Sequence, residues 1–75
     1  MALEFYHSLH SKESLAVRSF IEEHDLWHRI IDQDVDASPS SRERLFELTG
    51  KVETPCLVVD HLPIFKQEEI IEWFR

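Results

Sequence analysis

The feature that most constrains this chain is a change of hydrophobic period between Tyr6 and Ser14. Leu3 to Tyr6 is short, apolar and partly aromatic, which suits a buried strand. After a polar turn, Val17, Phe20, Ile21 and His24 recur at helical spacing, with Arg18, Glu22 and Glu23 on the opposite face. The strand therefore runs through a short turn straight into a helix. At such a junction, exposed backbone N–H groups and the positive end of the helix dipole meet the strand's carboxyl end. Two hydroxyls, Ser11 and Ser14, stand there at a spacing that suits a helix N-cap, and the sequence leaves open which of them caps. The helix ends between His24 and Leu26. Trp27 to Asp34 carries Ile30 and Ile31 between polar residues and reads as a second strand. Strand, helix and strand of these lengths form a right-handed βαβ unit with parallel strands.

The remaining punctuation is equally local. Ser38 followed by Pro39 reads as an N-cap and a first-turn proline, and Ser40 with Glu43 matches a capping box. Leu45, Phe46 and Leu48 supply the apolar side of this second helix. Gly50, the only glycine, stands where a left-handed C-cap is wanted. Cys56-Leu57-Val58-Val59, bounded by Pro55 and Asp60, is a β-branched apolar run and reads as a central strand. Asp60-His61 makes a turn, and Leu62 to Phe65 returns as a fourth strand that Pro63 confines to a sheet edge. The last helix runs from Gln67 to Phe74, with Ile70, Ile71, Trp73 and Phe74 on its buried side. The expected architecture is a single α/β domain over residues 1–75, in the order β-α-β-α-β-β-α.

Charge and cysteine content restrict the function classes. The net charge of −7 argues against nucleic acid and against an anionic membrane surface, both of which require clustered Lys and Arg. No run approaches the length of a membrane helix, and no signal peptide precedes the first strand. The lone Cys56 has no internal disulfide partner, so a cytoplasmic, reducing environment is expected. Buried at the start of a central strand, Cys56 reads as a structural cysteine, with mixed-disulfide formation the minority alternative. His7, His10 and Glu13 flank the turn at three-residue spacings. That spacing crosses a strand end, a turn and a helix start, so no metal site is expected. No Gly-rich phosphate loop is present.

Four segments together resemble the glutaredoxin family of the thioredoxin fold, in order and spacing, over nearly the whole chain. Leu3-Glu4-Phe5-Tyr6 resembles the family's first strand. Val17-Arg18-Ser19-Phe20-Ile21-Glu22-Glu23 resembles the helix after its redox motif, and Arg44-Leu45-Phe46-Glu47-Leu48-Thr49-Gly50 its second helix. Thr54-Pro55-Cys56-Leu57-Val58-Val59-Asp60 resembles its cis-proline segment and third strand. The resemblance implies a thioredoxin-like, glutaredoxin-type fold: a four-stranded mixed sheet with three helices. It implies that Pro55 is the cis-proline. It also implies that Thr54 offers a backbone edge to a bound thiol peptide, a form of β-augmentation.

The departures from the family bear on chemistry. Its Cys-x-x-Cys motif aligns onto Ser11-Lys12-Glu13-Ser14. A thiol at a helix N-terminus is acidified to a reactive thiolate, whereas a hydroxyl is far less acidic and forms no disulfide. By resemblance, Ser11 and Ser14 occupy the catalytic positions, and dithiol exchange is silent in the chain as written. The retained Cys56, and a middle pair lacking the family's usual proline and aromatic, favour natural divergence over replacement. Glutathione-binding members carry Gly-Gly followed by Asp near the last helix, where this chain has Pro63-Ile64-Phe65-Lys66. Glutathione is therefore disfavoured and no cofactor is expected, although Lys12 or Lys66 would attract a carboxylate of another peptide. Glutathione transferases place a catalytic hydroxyl at a similar turn. They need a further helical domain, and an acidic residue and a serine where Lys66-Gln67 stand.

Two functions of different class follow. The first is a small glutaredoxin-like protein whose family activity is thiol–disulfide oxidoreduction, silenced by Ser11 and Ser14. The second is a non-catalytic module that holds an extended peptide at Lys12, Thr54 and Pro55. In either case the expected partner is a protein or thiol peptide, and the expected state is a monomer.

Overall fold

The structure, a computed structural model, describes residues 2–75. Among these residues four strands and three α-helices form three layers. β1 (Leu3–His7) is buried along its whole length and lies inside a sheet of order β2-β1-β3-β4. It pairs in parallel with β2 (Ile31–Asp34), with Phe5 opposite Asp32. It pairs antiparallel with β3 (Cys56–Val59), with Phe5 opposite Leu57. β4 (Leu62–Ile64) pairs antiparallel with β3 and forms one edge, so Pro63 sits where a missing N–H is tolerated.

Alternation along the central strands divides the core. Phe5 and Leu57 face one side, where they pack with Val17 and Ile21 of α1 (Lys12–Glu23) and Ile70 of α3 (Gln67–Phe74). Tyr6, Cys56 and Val58 face the other side and pack with Val35 and with Leu45 of α2 (Pro39–Thr49). Each of these large side chains contributes roughly 1.5–3 kcal/mol through burial.

The Ser38–Pro39 and Gly50 signals for α2 act as the sequence indicates, but the Ser40–Glu43 capping box does not form, because Ser40 lies inside the first turn and the residue three past the Ser38 cap is Ser41. Ser38 is the N-cap and its Oγ accepts from Ser41 N–H at 3.3 Å, while Pro39 occupies the first turn. Gly50 adopts φ 80° and donates its N–H to Phe46 O at 2.7 Å. The hairpin between β3 and β4 turns on Asp60 (φ 47°) and His61 (φ 76°), two left-handed residues in succession, as a tight hairpin turn requires. Asp60 is also tied to the start of the chain, because its Oδ1 accepts from Ala2 N–H at 2.9 Å.

Three further expectations are corrected. The strand expected from Trp27 begins only at Ile31, because Trp27–Arg29 form a short 3-10 turn. That turn swings Trp27 back onto Phe5 and His7, at ring distances of 6.3 and 6.1 Å. Ile31 is left 55% exposed on an edge strand. Phe46 is 57% exposed rather than buried, since the inward stripe of α2 is Ser41 and Leu45, and the next residue lies about 100° around the helix. His24 lies past the last turn of α1 as its C-cap, exposed and stacked on Phe20.

A buried carboxylate beneath α2 was not expected from an apolar strand. Glu4 accepts from Tyr6 Oη (2.7 Å), Arg44 Nε (2.7 Å), Arg44 Nη2 (3.1 Å) and Gln33 Nε2 (3.3 Å). The Arg44 hydrogen bond is the main cause that holds the Glu4 carboxyl below its ordinary value, against the opposing effect of burial. Burial first, and then the bond to Glu4, pushes the Tyr6 hydroxyl well above its usual range. A carboxyl whose folded pKa is depressed stabilises the fold above its unfolded value, 4.5 for Glu4. That contribution is lost as pH falls through the depressed folded value. Melting temperatures measured from pH 6 to pH 2 should therefore fall, and the fall should be shallower in Glu4→Gln, which keeps the shape and removes the titration.

Candidate functional site

The site grows from the carboxyl end of β1. Beyond His7 the chain makes a tight turn closed by Ser11 N–H donating to Ser8 O at 3.2 Å. The turn is braced from the loop after β2. Asp36 Oδ2 accepts from Ser8 Oγ at 2.7 Å and from Leu9 N–H at 3.0 Å. The Ser8 hydroxyl, and to a lesser degree the Leu9 N–H, hold the Asp36 carboxyl below its usual value. His7 is buried, with its Nε2 against Asp32 Oδ1 and no partner for Nδ1 among the described residues.

The structure decides which serine caps α1. Ser11 is the N-cap, and its Oγ accepts from Ser14 N–H at 3.1 Å. The same hydroxyl donates to Thr54 O at 3.5 Å, which joins the helix start to the segment before β3. The Thr54–Pro55 peptide bond is cis, with Pro55 buried and Thr54 half-buried. Ser14 points inward. Its side chain is wholly buried, and its Oγ has no hydrogen-bond partner among the described residues.

Position 14 is therefore shaped for a small group that needs no partner. A buried hydroxyl without a partner costs about 1–3 kcal/mol, whereas a thiol behaves there as a small hydrophobe. Ser14→Ala should leave the fold intact and raise the unfolding free energy by about 1 kcal/mol, read from the midpoint of denaturant unfolding. A drop of that size would show that the hydroxyl has a partner in solution.

A groove of about 420 Å³ opens beside this junction, lined by Glu13, Thr54, Pro55, Lys66, Gln67 and Glu68 among others. It lies between the first turn of α1, the Thr54–Pro55 segment and the start of α3. Thr54, Pro55 and Lys66 are thus brought together. Ser11 adjoins them through its bond to Thr54, while Ser14 lies inside the protein. Lys12 is exposed on the first turn of α1 and does not line the groove. Glu13, Gln67 and Glu68 line it, although the sequence reading gave none of them a binding role. Lys66 and Gln67 stand at the start of α3, as the sequence reading has it. Lys66 is its N-cap, and Glu68 and Glu69 fill its first turn. The preference for carboxylates at a helix start was the available signal.

Cys56, the first residue of β3, is buried, and that burial pushes its thiol up to about 12. It stays protonated at neutral pH and supplies no nucleophile to the groove. Among the described residues no group of three or more His, Cys, Asp or Glu is placed to hold a metal ion. Among the same residues no helix is long and apolar enough to cross a membrane.

No protein-family model and no curated protein matches the sequence. Among solved structures, the chain is similar to the crystal structure of the thioredoxin-like protein BC3987, with a TM-score of 0.77, and to that of a point mutant of the same protein, with 0.76. In both cases the match is at 20% identity and covers 97% of this chain and 99% of the other. A likeness at that identity concerns the fold. The order β2-β1-β3-β4, the mixed pairing and the three helices in their layers agree with it, and this chain has a thioredoxin-like fold.

Proposed function

We propose that the protein is a glutaredoxin-like, redox-silent binding module that holds an extended segment of a partner protein in the groove between the first turn of α1 and Thr54–Pro55. The observation that carries this reading is the state of the two serines. Ser11 is committed to capping α1 and to Thr54 O, and Ser14 is sealed in the interior, yet an open groove remains beside them. Among the described residues, neither hydroxyl has a base within hydrogen-bonding reach, which nucleophilic chemistry would require. Thr54 contributes main-chain contact to the bound segment and Pro55 shapes the groove, while Lys66 in its wall and Lys12, exposed on the first turn of α1 outside it, attract carboxylates. The module acts as a monomer in the cytoplasm, where the lone Cys56 remains a thiol, and it needs neither glutathione nor another cofactor.

Restoring the dithiol distinguishes this reading from an oxidoreductase that has lost its cysteines. The Ser11→Cys/Ser14→Cys variant, assayed for reduction of a small disulfide with glutathione as reductant, should show no turnover above background. The groove wall offers glutathione Glu13, Glu53 and Glu68 against a single Lys66. Strong turnover would overturn the binding reading in favour of an oxidoreductase scaffold.

A further inference from the structure

A second, larger groove of about 880 Å³ runs along the outer face of α3 beside β4. Its floor is apolar, formed by Pro63, Ile64, Phe65 and Trp73, and its walls carry Glu53, Glu68, Glu69 and Glu72 against Lys51 and Lys66. Lys51 is already engaged, since its Nζ lies 3.7 Å from Glu53 and 4.2 Å from the centre of the Phe65 ring. Among the described residues, Glu68, Glu69 and Glu72 form no ion pair, and all three are exposed. Glu68 and Glu69 complement the dipole at the start of α3, which accounts for them locally. Glu72 lies near the other end of that helix, where an anion is disfavoured, so local structure does not account for it.

We infer that this groove is a docking surface for a segment of a partner protein that bears Lys or Arg around an apolar anchor. The anchor seats on Phe65 and Trp73, since an aromatic floor is the usual energetic centre of such a contact. The flanking cations face Glu69 and Glu72, so charge complementarity selects the partner and hastens encounter. The exposure of Pro63, Glu68, Glu69 and Glu72 makes this an open trough suited to a stretch of chain. The groove adjoins the one proposed to bind at Thr54–Pro55 and shares Glu53, Phe65, Lys66 and Glu68 with it, whereas Glu69 and Glu72, chosen to test it, line this groove alone.

The probe is a fluorescein-labelled peptide, acetyl-Lys-Leu-Lys-Phe-Lys-Leu-Lys-amide, followed by anisotropy against the full chain, with the Glu-for-Lys peptide as its counterpart. The cationic peptide should bind, lose about tenfold or more in affinity between 50 and 500 mM salt, and shift the amide resonances of Ile64, Glu69 and Glu72. The acidic peptide should not bind. Glu69→Lys/Glu72→Lys should weaken binding at least about tenfold, the equivalent of roughly 1.4 kcal/mol. Glu22→Lys/Glu23→Lys changes the net charge by the same amount at exposed positions of α1 that do not line the groove and should leave affinity within about twofold. Glu69→Gln/Glu72→Gln, which removes charge at similar size, should give an intermediate loss. No binding, equal loss in both charge-reversed variants, or undiminished binding in Glu69→Lys/Glu72→Lys with native circular dichroism would each overturn the proposal.

Discussion

Ser11→Cys should create a thiol that titrates at about 7 or below and is alkylated by iodoacetamide at neutral pH, while Cys56 in the same folded molecule stays unmodified. The physical reason is the N-cap itself. The group at position 11 receives Ser14 N–H at 3.1 Å and sits at the positive end of a twelve-residue helix. Both interactions favour an anion, and thiols at helix N-termini fall to roughly 3.5–7.5 from about 8.5. Cys56 moves in the opposite direction, up to about 12, because burial penalises its thiolate. The two sites should differ in modification rate by more than about a hundredfold, since only the thiolate reacts. Mass spectrometry of the alkylated protein at pH 7 would read this as one label, on position 11. A label on Cys56 before unfolding, or an ordinary titration at position 11, would show that the helix terminus does not face the site as described.

Phe5→Ala should be the most damaging single core substitution, lowering the unfolding free energy by about 3–5 kcal/mol. Phe5 lies on the interior strand β1, is fully buried, and packs with Val17, Ile21, Leu57 and Ile70 at the meeting of α1, α3 and the sheet. Its ring also contacts His7 at 5.2 Å and Trp27 at 6.3 Å, so the cavity cannot collapse without moving three elements. A chain of 75 residues is stabilised in total by roughly 4–11 kcal/mol. The melting temperature should therefore drop by about 15 °C or more, measured by circular dichroism at 222 nm. Phe46→Ala, at a side chain 57% exposed, should shift it by only a few degrees.

Legibility in the sequence followed the range of the interactions. Gly50, Pro39 and Ser38 announced the ends of α2 because capping is settled within a few residues. The apolar runs of β1 and β3 announced a core sheet because burial on both faces leaves a continuous pattern. The order β-α-β-α-β-β-α was readable for the same reason, and the resemblance of four segments to a known family made it thioredoxin-like. Trp27–Arg29 was misread because a short apolar stretch does not distinguish a strand from a helical turn. Glu4 and Arg44 lie forty residues apart, and Ser8 and Asp36 twenty-eight, so no local pattern could reveal either pairing.

The site was legible in outline and not in its wall. The strand–turn–helix junction drew attention to Ser11, and Thr54-Pro55 supplied the opposite side. The distinct fates of Ser11 and Ser14 depend on how α1 rotates against the sheet, which spacing alone does not give. Lys12 drew attention through its place in the motif and stands exposed outside the groove, whereas its neighbour Glu13 lines it. Glu68 and Gln67 enter because α3 begins beside Thr54–Pro55, a consequence of the whole β3–β4–α3 path.

The most direct test of the account is a heteronuclear NMR titration of the isotopically labelled chain with a heptapeptide selected against it from a random library. Binding at the groove between α1 and Thr54–Pro55 predicts saturable shifts in the amides of Glu13, Thr54 and Gln67, with little change in α2. Shifts confined to other surfaces, or the failure of any selected peptide to perturb these three amides, would contradict it.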